Sequence, residues 1–216
     1  MSVDLNRHAD GTQAGWLESM RLGGYVIVLR HGLTTSDQAS PDPMANPAKS
    51  TDSKNSDPKN TDPMSNPAKK GAGERQLSEP GRAQAKSVGE GMRKLRIPVG
   101  VVMTSPLQRA IDTGTLLGYG EVTVNPDLAE AGAAISPEEN KRRAEALRRI
   151  VTLRPSADNN LVIVTHKPNI TEAFGKDWSD IREGEATVFE PDNKGGYKLI
   201  VRIPANEWTA LLQSDH

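Results

Sequence analysis

The sequence predicts an α/β fold in which a mostly parallel sheet lies between two layers of helices. Apolar, largely β-branched runs at residues 25–29, 99–103 and 161–165 are typical of strands buried on both faces. Amphipathic helical patterns separate these runs along the chain. Buried strands that alternate with such helices form a parallel sheet covered on both sides.

The remaining elements are shorter. A helix is expected at residues 13–22, where Gly23 ends it. A short strand is expected at residues 121–124, and a late strand pair at residues 186–190 and 197–203. The second of these strands completes the predicted sheet.

Two longer helices have clear start signals. Ser78 precedes the first, and Ser136 precedes the second, followed by Pro137 and then Glu139 at the third helical position. The apolar residues expected to face the core are Val88, Met92, Leu95, Ala144, Leu147 and Val151.

Length and composition limit the possible functions. The 216 residues suit a single domain, 1–216, with some additional chain. A net charge of -1 gives no basic field for nucleic acid, and no apolar run is long enough to span a membrane. No signal peptide is recognisable. The absence of cysteine excludes disulfides and zinc–thiolate sites, while the compartment stays open.

Residues 36–70 differ from the rest of the chain. They contain no Leu, Ile, Val, Phe, Tyr or Trp, and they hold six of the 15 prolines. An eight-residue segment beginning at Asp42 is repeated with one change from Asp62. Such a stretch cannot bury enough apolar surface to fold, so we expect a disordered or extended insertion, acting as a lid or tether. Residues 1–12 are expected to form a flexible tail.

The candidate chemistry lies at the ends of the three buried strands, where open parallel sheets bind ligands. Of four histidines, His31 and His166 directly follow such strands, whereas the others lie near the termini. Arg30 adjoins His31, and Arg109 follows the remaining strand after Ser105 and Pro106, which are expected to begin a helix as its N-cap and first residue. Two imidazoles and two guanidiniums at one edge suit a phosphate dianion, and a neutral imidazole can be its nucleophile.

These motifs resemble those of the histidine phosphatase superfamily, the phosphoglycerate-mutase-like fold. The segment Arg30-His-Gly-Leu-Thr34 is similar to its signature, and Ser105-Pro-Leu-Gln-Arg109 to its second arginine motif. The segment beginning at His166 resembles its second histidine motif, and the one beginning at Arg75 resembles its first helix start. The resemblance implies a three-layer α/β/α sandwich and is strongest with small bacterial phosphatases related to lipopolysaccharide heptose-phosphate phosphatases.

The resemblance also implies roles for individual residues. His31 would attack phosphorus, while Arg30, Arg109 and His166 would hold the phosphate oxygens. Glu130 would be the general acid, with Asp127 as the alternative. The expected substrate contacts are Gly32, Thr34, Lys167 and Asn169.

The predicted function is therefore a metal-independent phosphomonoester hydrolase that uses no cofactor and acts on a small phosphorylated substrate. A phosphomutase, a protein phosphohistidine phosphatase and a non-catalytic phosphate-binding module are the alternatives. The resemblance places the protein in the periplasm or outside the cell if a signal peptide has been removed, and otherwise in the cytoplasm. Lys167 stands where phytase-like relatives have Asp, which excludes their acid arrangement.

Overall fold

The apolar runs form the central strands of a six-stranded sheet. The structure is a computed structural model that describes residues 13–35, 74–156, 158–192 and 194–212. The strands are β1 (Val26–Arg30), β2 (Val99–Thr104), β3 (Val122–Val124), β4 (Asn160–Thr165), β5 (Ala186–Pro191) and β6 (Tyr197–Ile203).

The strand order is β3-β2-β4-β1-β5-β6. The first four strands are parallel, and β5 and β6 are antiparallel additions beside β1. Arg30 of β1 is level with Thr165 of β4, and Thr104 of β2 is level with Val164. The predicted mostly parallel sheet is confirmed, and β1, β4 and β2 end side by side.

Helices cover both faces of this sheet. They are α1 (Gln13–Arg21), α2 (Glu79–Lys94), α3 (Gln108–Leu116), α4 (Pro137–Thr152), α5 (Lys167–Phe174) and α6 (Glu207–Leu211), with 3₁₀ turns at Pro126–Leu128 and Lys176–Trp178. Ile27 and Leu29 face α1, α2, α3 and α6, whereas Val26 and Val28 face α4 and α5. This alternation along β1 divides the core into two layers and confirms the α/β/α sandwich.

The predicted helix starts are correct at two sites and wrong at one. Ser78 and Ser136 are N-caps whose hydroxyls accept hydrogen bonds from Gly81 N and Glu139 N. Ser105 does not cap α3, which begins at Gln108. Its hydroxyl instead contacts His166 and the backbone N–H of Leu107, so the polar turn after β2 belongs to the site rather than to the helix.

The prediction that β2 is buried on both faces is also wrong. Gly100 and Val101 are exposed. The neighbouring β3 has only three residues and pairs with residues 102–104, so the first half of β2 lies at the sheet edge. The predicted tail, 1–12, and insertion, 36–70, lie outside the described residues.

No helix in the described part of the chain is long and apolar enough to cross a membrane.

Candidate active site

The ends of β1, β2 and β4 bring the predicted site residues together at one edge of the sheet. The His31 N–H donates to the Thr165 carbonyl oxygen at 3.1 Å, and the Ser105 N–H donates to the Val164 carbonyl oxygen at 2.9 Å. These bonds extend the strand pairing by one residue on each side of β4. His31 and Ser105 therefore flank His166, which is the first residue after β4.

The His31 imidazole is buried and held in one tautomer. Its Nδ1 lies 2.9 Å from the Gly32 carbonyl oxygen. Because a carbonyl oxygen only accepts, Nδ1 carries the hydrogen and Nε2 keeps its lone pair. Burial is the main cause that lowers the pKa of His31 to about 3, with smaller contributions from Arg109, Arg30 and Arg75 and an opposing one from the Gly32 carbonyl. The ring is therefore neutral at ordinary pH.

His166 lies beside His31 at the start of α5. The two ring centroids are 5.3 Å apart, with the planes tilted by 55°. The Nε2 of His166 is 2.7 Å from the Ser105 hydroxyl oxygen, and its Nδ1 is buried without a partner among the described residues. Burial, together with Arg109 and His31, holds the pKa of His166 well below its usual range. Both histidines are therefore neutral.

Arg109 brings a buried positive charge to the histidines from the first turn of α3. Its Nη2 forms an ion pair with the Glu130 carboxylate, and its Nη1 lies 3.4 Å from Glu74 Oε1. The same Glu74 oxygen accepts from the Gln108 backbone N–H at 2.7 Å. Two carboxylates thus pair with this guanidinium.

Arg30 supplies the second guanidinium from the end of β1. Its Nη1 donates to the Ile181 carbonyl oxygen at 2.6 Å, and its Nη2 lies 3.6 Å from Glu183 Oε1. Thr34 donates its hydroxyl to the same Glu183 oxygen at 3.0 Å. A third carboxylate therefore holds both Arg30 and the predicted contact residue Thr34.

The two candidate acids have different surroundings. Glu130 reaches Arg109 and is partly exposed. Asp127 lies on the 3₁₀ turn, and its carboxylate is 2.6 Å from Arg142 Nη1 of α4. The geometry favours Glu130, because its partner also adjoins the histidines whereas the partner of Asp127 is a surface residue.

Comparisons with known proteins agree with this fold. The sequence model of the histidine phosphatase superfamily, branch 1, matches residues 61–136. This range includes Arg109 and Glu130, while His31 and His166 lie outside it. No curated protein matches the chain.

Several solved phosphatase structures share the fold. The protein histidine phosphatase SixA complexed with tungstate has a TM-score of 0.53 and 13% identity, over 85% of this chain and 98% of that one. Phosphoserine phosphatase from Entamoeba histolytica, in complex with 3-phosphoglyceric acid, has a TM-score of 0.53 and 14% identity, over 83% and 96%. The mycobacterial glucosyl-3-phosphoglycerate phosphatase has a TM-score of 0.51 and 20% identity, over 82% and 97%. The family model matches well under half of the chain, and these solved structures show that the fold is shared. The matches support a phosphatase.

Gly32 allows a close approach between the end of β1 and α2. A Cβ at Gly32 would lie 3.0 Å from the Gly81 carbonyl oxygen, so a side chain there would push the helix away. The Gly32 N–H donates to the Thr113 hydroxyl at 3.1 Å, and that hydroxyl donates to the Arg109 carbonyl oxygen. Gly32 therefore links the end of β1 to the helix that carries Arg109.

The other two predicted contact residues have different placements. Lys167 is half-buried between a cleft of about 560 Å³, which Arg30 and Glu183 also line, and one of about 350 Å³ beside Gly132. Asn169 is buried, and both ends of its amide bond the backbone of the loop that carries Glu130.

Sequence reasoning missed three charged residues at the site. Glu74 and Glu183 pair with the arginines, and the positive charge of Arg75 lowers the pKa of both histidines. Glu183 could have been found from the start of β5, since an antiparallel strand begins at the edge where its parallel neighbours end. The sequence gives no comparable signal for Glu74.

Within the described ranges, no group of three or more His, Cys, Asp or Glu side chains is arranged to hold a metal ion. The guanidiniums of Arg30 and Arg109 are groups at this site that can bind an anion.

Proposed function

We propose that this protein is a histidine phosphatase that hydrolyses phosphomonoesters without a metal ion, through a phosphohistidine on His31. The observation that carries the proposal is the neutral His31 ring, with Nδ1–H held by Gly32 and the Nε2 lone pair left for attack. Arg30 and Arg109 supply the charge that would stabilise the phosphoryl group as negative charge builds on its oxygens.

The proposed reaction has two steps. Nε2 of His31 forms a bond to phosphorus, the phosphorus–oxygen ester bond breaks, and the leaving oxygen takes the proton of Glu130. A water molecule then gives its proton to the Glu130 carboxylate and attacks phosphorus. The phosphorus–nitrogen bond breaks, inorganic phosphate leaves, and both His31 and Glu130 return to their starting forms.

The ion pairs of the unliganded site support a place for both substrate and acid. A phosphate dianion offers Arg109 more acceptor oxygens than Glu130 does, so its arrival would compete with the Arg109–Glu130 pair. Glu130 would then lie next to the bound phosphate. The cleft of about 560 Å³ next to Arg30 would accommodate a leaving group of sugar-phosphate size.

The first test is to trap the intermediate. Acid quenching would destroy a phosphohistidine, so the reaction with labelled phosphomonoester is stopped in base and the label is mapped by peptide analysis. We expect acid-labile label on His31. His31→Ala should abolish the label and reduce kcat by more than about a thousandfold, as expected for a nucleophile. His8→Ala serves as the matched control and should retain both label and rate.

Label on another residue, or a His31→Ala rate close to the wild-type rate, would contradict the proposal. A labelled enzyme that passes phosphate to a second sugar acid faster than to water would identify a mutase. Absence of turnover across a panel that includes a heptose phosphate and a phosphohistidine protein would favour a binding module.

The second test concerns the metal. Excess chelator should leave the rate on an aryl phosphate unchanged, because the guanidiniums supply the charge that a metal would bring. A rate lost in chelator and restored by a divalent ion would overturn the metal-independent mechanism.

A further inference from the structure

The buried amide of Asn169 contacts both neighbours of the proposed acid. Its Oδ1 accepts from the Ala131 N–H at 3.0 Å, and its Nδ2 donates to the Ala129 carbonyl oxygen at 2.7 Å. Glu130 lies between these two residues, and Asn169 is only 1% exposed. We propose that Asn169 is a positioning residue that fixes Glu130 over the phosphate site, instead of contacting substrate. This inference rests on the proposed role of Glu130 as the general acid.

The rest of the loop is held in the same way. The Thr165 hydroxyl donates to the Leu128 carbonyl oxygen at 3.0 Å, and Arg143 donates to the Glu130 carbonyl oxygen at 2.8 Å. The side chain of Asn140 makes two bonds to the backbone of Gly132, at 3.0 and 2.9 Å. Side chains therefore bond every residue from Leu128 to Gly132. A catalytic side chain on an irregular loop needs such support to hold a defined position.

Asn169 joins this loop to the segment that holds the nucleophile. It lies on the first turn of α5, three residues after His166, and β4 ends at Thr165, whose carbonyl oxygen accepts from the His31 N–H. Glu130 and His31 are thus anchored to one short stretch of chain. These shared anchors would fix the position of the proposed acid relative to the proposed nucleophile.

An asparagine fits this position because it presents one acceptor and one donor on the same planar group. The Ala131 N–H requires an acceptor and the Ala129 carbonyl requires a donor, so the orientation of the amide is determined. Alanine would remove both bonds, and serine could restore only one at a time. A purely structural role for Asn169 and the positioning role make different predictions. Only the positioning role makes the loss of rate depend on the leaving group of the substrate.

The test compares leaving groups. We would measure kcat/KM for nitrophenyl phosphate, phenyl phosphate and a primary alkyl phosphate with Asn169→Ala. Protonation of the leaving oxygen matters most for the alkyl ester, so its rate should fall at least roughly tenfold more than that of the nitrophenyl ester. Glu130→Gln should show the same selectivity, and adding Asn169→Ala to it should increase that selectivity no further.

Asn160 offers a matched control on the opposite end of β4. It is equally buried, and its amide also bridges backbone groups, at Tyr25, Met20 and Pro98. Asn160→Ala should lower stability and reduce the rates of all three substrates by a similar factor. Should Asn169→Ala not fold, Asn169→Ser replaces it with the same expected selectivity.

Equal losses on all substrates with the Asn169 variant, as with the Asn160 variant, would overturn the positioning role while leaving Glu130 as the acid. Absence of selectivity in Glu130→Gln itself would overturn the acid assignment, and the positioning role with it. The two failures are therefore separable.

Discussion

Arg75 shows how a single charge affects the site at the scale of one residue. Its positive charge lowers the pKa of His31 and His166 and that of Arg30. Burial lowers the pKa of each of these three groups more than Arg75 does, so Arg75 adds to a shift that the fold already produces. A like charge at this point disfavours the imidazolium and favours bound anions.

Replacing Arg75 by glutamine should therefore raise the pKa of His31 from about 3, while burial keeps it below the ordinary value of 6.5. The His31 ring signals in an NMR titration would report this shift. Affinity for inorganic phosphate should weaken in the same variant. Lys86→Gln, which removes an exposed charge from α2, is the control and should change neither quantity.

If the pKa of His31 is the same in Arg75→Gln as in the wild-type protein, the charge of Arg75 is screened from the His31 ring.

The site could be predicted from sequence where residues follow the parallel strands. His31, Arg30 and His166 adjoin the ends of β1 and β4, and Arg109 follows β2 within a few residues. Glu183 was missed, because the late strand pair was predicted without a direction relative to β1, and the signal for Glu183 depends on that direction. The backbone groups that bond the Asn169 amide could not be predicted either, because a sequence does not show which backbone groups a buried amide will contact.

At the scale of elements, the described residues on either side of residues 36–73 meet in a small β-bridge. Thr34 pairs with Leu77 in antiparallel fashion, and the Thr35 N–H donates to the Gln76 carbonyl oxygen at 3.2 Å. On the other side of this bridge, the Ser78 N–H donates to the Leu33 carbonyl oxygen at 3.0 Å. The core thus fixes both ends of the segment between them.

Replacing residues 37–69 with a short Gly-Ser linker should leave folding and aryl phosphate hydrolysis nearly intact. The bridge already holds the two ends together, and closure entropy depends only weakly on loop length. Any change should appear in KM for bulky substrates, because the ends of the segment adjoin the site through Thr34 and Glu74. Thermal unfolding and kcat on the aryl ester are the measurements.

A shortened protein that folds normally but loses turnover on the aryl ester would contradict this view, because the removed residues would then take part in catalysis.

The elements themselves followed from the sequence with few errors. Apolar periodicity and serine caps indicated α2 and α4 correctly. The start of α3 was misplaced because Ser105 serves as a partner of His166, and the sequence signal for a cap and for such a partner is the same. Burial of β2 was overestimated because it depends on the length of β3, a property of the neighbour.

At the scale of the whole molecule, two buried neutral histidines link folding to pH. The native pKa of His31 is about 3 and that of His166 is well below its usual range, whereas the unfolded value is 6.5. Below about pH 6.5 the unfolded chain therefore binds protons that the native protein does not. The free energy of unfolding should fall as pH decreases through this window, by up to about 1.4 kcal/mol per pH unit for each histidine.

Urea unfolding measured from about pH 7 to about pH 5 would reveal this slope. His31→Gln should reduce the slope by the contribution of one histidine. The variant keeps a neutral, hydrogen-bonding side chain in the same place. A wild-type unfolding free energy that stays constant across this interval would mean that the histidines are protonated in the native protein as well.

Carboxylates already pair with the two guanidiniums, so a bound anion would replace them as the partner of each arginine. Glu74 and Glu130 are counterions of Arg109, and Glu183 is the counterion of Arg30. The affinity for phosphate then depends on how much more stable the phosphate–arginine pairs are than the carboxylate–arginine pairs that they replace. The same internal anions can return when the product leaves, so they favour release. A site built this way combines strong charge at the moment of reaction with modest retention of its product.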